Sequence, residues 1–331
     1  MRTPLRIGVF GAGHLGKIHL KCLQGIPEYT IVGFHDPNPD TQKLVSTEFE
    51  LAHFEEPDLL IAACEVIDIV SPTPTHHRLI HAGLEGGCHV FAEKPVTDLA
   101  TEARELKSLA EKKNLKIQVG HVERYNPAFQ AAKAWNPRPM FIEGHRLAQF
   151  NPRGTEVSVV HDLMIHDLDI VRELIPGEIV SIQANGVSVV SEQHDICNAR
   201  ITFDNGAVAN LTASRISLKS MRKLRLFQRD AYMSIDFLEK ETEIVRMYDE
   251  QPVEMQGFVL PVSFQGKTKW IQRVKPEVTA VNAIQTELQR FALAIIEDRT
   301  PDVTIDDGIA SLDAIQKILE AIDASSKQFH L

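Results

Sequence analysis

The chain has 331 residues, 44% of them apolar and 24% charged, with a formal net charge of -10. That length exceeds what one hydrophobic core usually supports and predicts roughly two domains, while an acidic balance without clustered cations argues against a general nucleic-acid partner. No apolar run approaches the about 20 residues that a membrane span needs, and four scattered cysteines (Cys22, Cys64, Cys88, Cys197) with no signal-peptide pattern before the first strand predict a reduced, cytoplasmic protein.

The apolar run Leu5 to Phe10 reads as a strand that meets Gly11-Ala12-Gly13-His14-Leu15-Gly16 directly, and a helix His14 to Gln24 follows. A strand that turns sharply, lets a pyrophosphate approach bare backbone and then packs a helix closely needs a missing side chain at each step. The helix N-terminus supplies the field for the phosphates. The next strand, Thr30 to His35, ends at Asp36, whose carboxylate can accept from both hydroxyls of an adenosine ribose and would repel a 2′-phosphate. This ordering predicts a dinucleotide site that prefers NAD.

Further alternation follows: helix Pro39 to Phe49, a short strand near His53 and Phe54, helix Glu56 to Ala63, buried strand Val66 to Val70, a helix around Arg78 to Glu85, strand His89 to Phe91, helix Leu99 to Lys113 and strand Lys116 to Gly120. Repeated strand-helix units predict a doubly wound parallel sheet, with ligands beyond the carboxyl ends of its strands. Two strand ends stand out there. Ser71-Pro72-Thr73-Pro74-Thr75-His76 stops the backbone and offers small hydroxyls. Ala92-Glu93-Lys94-Pro95 holds a cation where it can stabilise an alkoxide.

After the break at Trp135 to Pro139 comes a strand Met140 to Leu147 and a helix from about Val157 to Leu174. Within it, Asp162 and His166 lie four apart and share a face, a spacing at which a carboxylate can orient an imidazole general base. A metal site from His161, Asp162, His166 and Asp169 is the rival, but on a helix two of those side chains point away from the others. Strands follow over Ile179 to Ser188, Asn198 to Phe203, Val208 to Ser214, Lys223 to Gln228, Tyr232 to Phe237 and Thr242 to Met247, with an Asp204-Asn205-Gly206 hairpin turn. They predict an open, largely antiparallel sheet. Helices over Val281 to Glu297 and Asp306 to Ser325 close the chain. The predicted fold is thus α/β, with a dinucleotide-binding domain over 1–121 and an α+β substrate-binding and oligomerisation domain over 122–331. An open sheet with one bare face predicts self-association.

In order and spacing, Gly11-x-Gly13-x-x-Gly16, Ser71-Pro72-Thr73-x-x-His76, Glu93-Lys94-Pro95 and Asp162-x-x-x-His166 resemble the glucose-fructose oxidoreductase and inositol dehydrogenase (Gfo/Idh/MocA) family over nearly the whole chain. The resemblance implies a Rossmann domain, a second domain with an open sheet, and pairing into dimers or tetramers. It implies catalytic Lys94, Asp162 and His166, and a NAD site of Gly11, Gly13, His14, Leu15, Gly16, Asp36, Ser71, Pro72, Thr73, His76, Glu93 and Lys94. Lys94 and His166, delivered by different parts of the chain, are expected to act on one alcohol. Arg124, Tyr125 and Asn126, with Arg146 and Arg153, suit a phosphorylated, polyhydroxylated substrate. The surrounding segments look most like the branch acting on the 3-hydroxyl of UDP-N-acetylglucosamine. A free-sugar or inositol dehydrogenase is the alternative within the family. A redox-silent NAD sensor is the alternative outside enzymes, and such a protein need not keep a lysine and a His/Asp pair.

Overall fold

The computed structural model describes residues 3–152, 154–252, 257–264 and 266–329. The chain divides into two compact units, Met1–Val122 with Asn282–Leu312, and Glu123–Val281 with Asp313–Leu331.

In the first unit β1 (Leu5–Phe10), α1 (His14–Leu23), β2 (Tyr29–His35), α2 (Pro39–Phe49), α3 (Pro57–Ala63), β3 (Val66–Ile69), α4 (His76–Glu85), β4 (His89–Glu93), α5 (Ala100–Lys113) and β5 (Ile117–Gly120) alternate as expected. The strands form a five-stranded sheet in the order β2-β1-β3-β4-β5, and every neighbouring pair is parallel. Strands covered on both faces need apolar residues at successive positions, and all four residues of β3 are buried, Asp68 among them. Asn38 starts α2, its side chain accepting from the amides of Asp40 and Thr41, with Pro39 in the first turn. The short strand expected at His53 reduces to one bridge to Phe34.

The second unit opens with α6 (Pro127–Lys133), β6 (Phe141–Leu147), a π-helical turn Val160–Met164, and α7 (Ile165–Leu174). Eight more strands follow: β7 (Ile179–Val187), β8 (Ile196–Phe203), β9 (Val208–Ser214), β10 (Met221–Phe227), β11 (Ala231–Asp236), β12 (Glu241–Tyr248), β13 (Phe258–Phe264) and β14 (Lys267–Val274). Their order is β13-β14-β12-β11-β10-β6-β9-β8-β7, antiparallel except where β6 runs parallel to β9. Alternation along β6, β8 and β9 puts one face inward, where Ile142, Ile201, Leu211 and Leu224 share a core with Ile315 and Ile318. The other face presents Glu143, His145, Asn198, Arg200, Asn210 and Thr212. The β13–β14 hairpin was not anticipated, because Pro261 reads as a strand breaker; β13 tolerates it as the edge strand of the sheet.

Two helices end the chain, α8 (Ala283–Ile296) and α9 (Ile305–Phe329). The expected boundary gave both to the second domain, but α8 and the first turns of α9, to Leu312, belong to the first unit. The physical reason is an apolar stripe: Leu288, Phe291 and Ala292 join the core of Ile7, Val9, Leu20 and Phe34, and the rings of Phe291 and Phe91 are 6.2 Å apart.

Candidate active site

The three glycines after β1 do different work. Gly11 has φ +93°, and a Cβ there would lie 2.6 Å from the Ser71 amide nitrogen. A Cβ on Gly16 would lie 2.1 Å from the Gly11 carbonyl oxygen, so both positions exclude a side chain. At Gly13 a Cβ would meet nothing within 4 Å, which leaves bare backbone open to a ligand. Gly13 also caps α1 with no side-chain hydrogen bond, so the first amides of that helix are left for an anion. Asp36, buried at the end of β2, accepts from the Ala12 amide at 2.8 Å and the Asn38 amide at 2.9 Å, bracing the loop. A cleft of about 590 Å³ runs along these groups, lined by Gly13, Gly16, Asp36, Ser71, Pro72 and Arg78 among others, with His14 and Leu15 also on its wall. These residues fit a dinucleotide. Arg78 was not anticipated as a lining residue. It is exposed, and from sequence a charged group early in a helix reads as an ordinary solvated surface.

Thr73 opens a short 3₁₀ turn, Thr73–Thr75, and the Ser71 and Thr75 hydroxyls are 2.6 Å apart. His76, set beside the cofactor by resemblance, is instead buried as a clamp. Its Nε2 lies 2.8 Å from the Ser71 carbonyl oxygen and its Nδ1 lies 2.9 Å from that of Pro95. It thereby ties the Ser71 turn to the segment carrying Lys94. Glu93 is also turned inward. One carboxylate oxygen accepts from the Lys94 amide at 3.2 Å, and the other lies 3.3 Å from His19 Nε2. His19 Nδ1 is 3.0 Å from Asp68 Oδ2, and His19 and Asp68 are fully buried. Burial works against the His19 charge, but Asp68 and then Glu93 outweigh it and raise its pKa well above the usual imidazole value. Burial likewise pushes Glu93 up, yet His19 and Lys94 hold it below the usual carboxyl range. Glu287, fully buried on α8, is pushed well above that range by burial and by the nearby Glu93.

In the second unit, Asp162 and His166 are not on one regular helix. Asp162 lies in the π-helical turn, whose start is set by Ser158: its hydroxyl accepts from the Val160 amide at 3.3 Å and its carbonyl from the Asp162 amide at 3.1 Å. His166 is the second residue of α7. Both are half-buried, whereas Asp167 and Asp169 are buried. Such widened turns recur at functional positions, where they re-aim a side chain. Among the described residues no group of three or more His, Cys, Asp or Glu is arranged to hold a metal ion.

The proposed substrate contacts need correction. Arg124, buried, makes a two-pronged pair with Asp169, Nε to Oδ2 at 2.8 Å and Nη2 to Oδ1 at 2.7 Å, and its Nη1 donates to Glu173 at 2.9 Å. Arg146, also buried, donates from Nε and Nη2 to Asp167 Oδ1 at 3.0 and 2.8 Å and from Nη1 to Glu123 at 2.9 Å. These guanidinium groups are paired with buried carboxylates. Asn126 caps α6 through Ala128 and donates to Glu123 and the Phe237 carbonyl, and Tyr125 is buried. Arg153 lies outside the described residues.

Comparison with known proteins agrees with this architecture. Residues 5–121 match the Gfo/Idh/MocA oxidoreductase family with an NAD-binding Rossmann fold, and residues 129–230 match the Gfo/Idh/MocA C-terminal domain. The UDP-N-acetylglucosamine 3-dehydrogenase of Acidithiobacillus ferrooxidans is 37% identical over 72% of this chain and 76% of its own. Its solved structure superposes with a TM-score of 0.87, covering 98% of this chain and 99% of that one at 31% identity. The scyllo-inositol 2-dehydrogenase (NAD(+)) of Bacillus subtilis is 29% identical over 66% of this chain and 69% of its own. The chain belongs to the Gfo/Idh/MocA family of NAD-dependent oxidoreductases.

Proposed function

We propose that the protein oxidises a secondary hydroxyl of a nucleotide sugar, the 3-hydroxyl of UDP-N-acetylglucosamine being the preferred substrate. The observation that carries this reading is the 37% identity, over 72% of the chain, to a dehydrogenase of that name. The glycine loop with Asp36, Ser71, Pro72 and Thr73 holds NAD, which when bound accepts a hydride from the carbinol carbon. His166 takes the hydroxyl proton, Asp162 orients its imidazole, and Lys94 donates to the same oxygen as negative charge develops on it. Arg153 remains the proposed contact for the substrate phosphates.

Support for the wider setting is physical. Cys22, Cys64, Cys88 and Cys197 are buried free thiols, which together with NAD chemistry fits a reducing compartment, so we place the protein in the cytoplasm. Among the described residues no helix is long and apolar enough to cross a membrane. On the outer face of the nine-stranded sheet the rings of Phe141, Phe227 and Tyr232 cluster, at 5.6 and 5.1 Å between centroids, which supports a homodimer or homotetramer formed through that face. Sedimentation as a monomer would end that part of the reading.

The functional test incubates the protein with NAD and a panel of UDP-sugars, glucose and myo-inositol, following reduced-cofactor absorbance and product mass. Reduced cofactor and a product lighter by two hydrogens are expected with UDP-N-acetylglucosamine. Turnover confined to myo-inositol or glucose transfers the reading to the inositol and free-sugar branch. Lys94→Ala is expected to lower kcat by about 100–1,000-fold while NAD still binds, and near-normal turnover in that variant removes the assignment.

A further inference from the structure

We propose that His19 is a positioning residue: held by Asp68 at one ring nitrogen and Glu93 at the other, it fixes Glu93 and, through the Glu93 bond to the Lys94 amide, the direction in which Lys94 projects. The role given to Lys94 is that of the reading above.

Three elements bring the group together. His19 stands on α1, the helix whose first turn forms the dinucleotide loop. Asp68 stands in β3 and Glu93 ends β4. His19 Nδ1 is hydrogen-bonded to Asp68 Oδ2 at 3.0 Å, and Nε2 lies at ion-pair distance, 3.3 Å, from Glu93 Oε1. A neutral ring donates from only one nitrogen and would turn a lone pair toward the other carboxylate, so only the imidazolium suits both. Asp68 is the polar exception in a strand that is otherwise apolar and wholly buried, a place where an unpaired carboxylate is costly. A cation between the two carboxylates removes that cost. The neighbouring strand makes room for the arrangement: a Cβ on Gly120 would lie 2.8 Å from Glu93 Oε1. His19 has no exposed surface, so it acts through Glu93 rather than on a ligand.

Burial raises Asp68 above the usual carboxyl range, with His19 pulling the other way. Glu93 faces His19 from the end of β4, Asp68 from β3, Glu287 from α8 and Cys22 from its own helix, while Lys94 lies against Glu93 and Tyr29 of β2 against Asp68. Burial raises Glu287 well out of the usual range, with Glu93 adding to the effect, and raises the Tyr29 hydroxyl, with Asp68 adding to it. Both shifts favour the neutral form, which leaves His19 as the group whose positive charge Asp68 and Glu93 favour.

The test compares His19→Gln and Asp68→Asn in the full-length protein. The second variant loosens His19 without touching Glu93 and serves if the first fails to fold. Both are expected to lower kcat by about tenfold or more with the NAD dissociation constant nearly unchanged, the scale of a small misplacement of a reacting group. Two readouts need no turnover. In the wild type, ¹⁵N spectra should show both ring nitrogens of His19 protonated at about pH 8, beyond the range of an ordinary histidine. Acetic anhydride labelling of the Lys94 side chain, read by peptide mass, should change severalfold in the variants while other lysines label as before. A neutral His19 ring at that pH, or folded variants with wild-type kcat and wild-type Lys94 labelling, overturns the proposal. A protein that oxidises no sugar but shows the charged ring and the labelling change would defeat the functional reading and leave the positioning role standing.

Discussion

Each unit buries an ionic cluster, and the two are built to different standards. In the second unit Arg124 and Arg146 donate to Asp169, Glu173, Asp167 and Glu123 through short, well-aligned bonds. In the first unit Asp68 Oδ1, His19 Nε2 and both Glu287 carboxyl oxygens are buried without a well-formed hydrogen bond, and His19 sits within ion-pair distance of two carboxylates. A fully paired network fixes a fold and little else. Under-satisfied polar groups in a core need an explanation of their own, and the strand end carrying Lys94 supplies one.

The largest effect expected from breaking this contrast falls on the paired cluster. Arg146→Met keeps bulk but leaves Asp167 and Glu123 buried without their cation, which should cost about 3–5 kcal/mol of stability, read by urea unfolding. Recovery is expected when Asp167 and Glu123 are made neutral in the same chain. A loss no greater than that of a surface substitution would mean the second cluster is not structural.

Asp36 sharpens the contrast from the first unit, because its carboxylate both braces Ala12 and faces the dinucleotide cleft. Asp36→Asn keeps the shape and removes the charge. About 10–100-fold weaker NAD binding is expected, the scale of hydrogen bonds to a charged group, together with a smaller preference over NADP. Calorimetric titration with both cofactors checks it, and an unchanged ratio would move cofactor choice to Arg78 or another group on the cleft wall.

What the sequence made legible was local. The glycine loop, Asp36, the Ser71 turn, the Glu93-Lys94-Pro95 strand end and the alternating elements all depend on neighbours within a few positions, and periodicity and spacing report those. Arg124 and Arg146 were misread because a solitary arginine looks the same whether free or paired. Their carboxylates lie 45 and 21 positions away, at Asp169 and Asp167. The same distance problem hid His19, 49 positions from Asp68, although a carboxylate inside an apolar strand was a visible signal. The π-helical turn at Val160–Met164 left no trace in a pattern that reads equally well as one helix, and α8 joined the first unit through an apolar stripe that could have packed on either sheet.

Glu287 gives the finest test, since it is the fully buried carboxyl beside the first cluster. Its folded pKa is raised, by burial first and then by Glu93. A raised carboxyl stabilises fully only below the ordinary glutamate range, and that contribution is lost as pH climbs toward the folded value, because the unfolded chain ionises and folding must take up a proton. Glu287→Gln removes the proton uptake and keeps the shape. The variant should therefore gain on the wild type as pH rises from about 5 to 8, by no more than about 1.4 kcal/mol per pH unit. Thermal melts of both proteins across that range read the difference directly. A gap that stays level with pH would mean that Glu287 is ionised in the folded protein, and the buried cluster would then need a second cation that His19 alone does not provide.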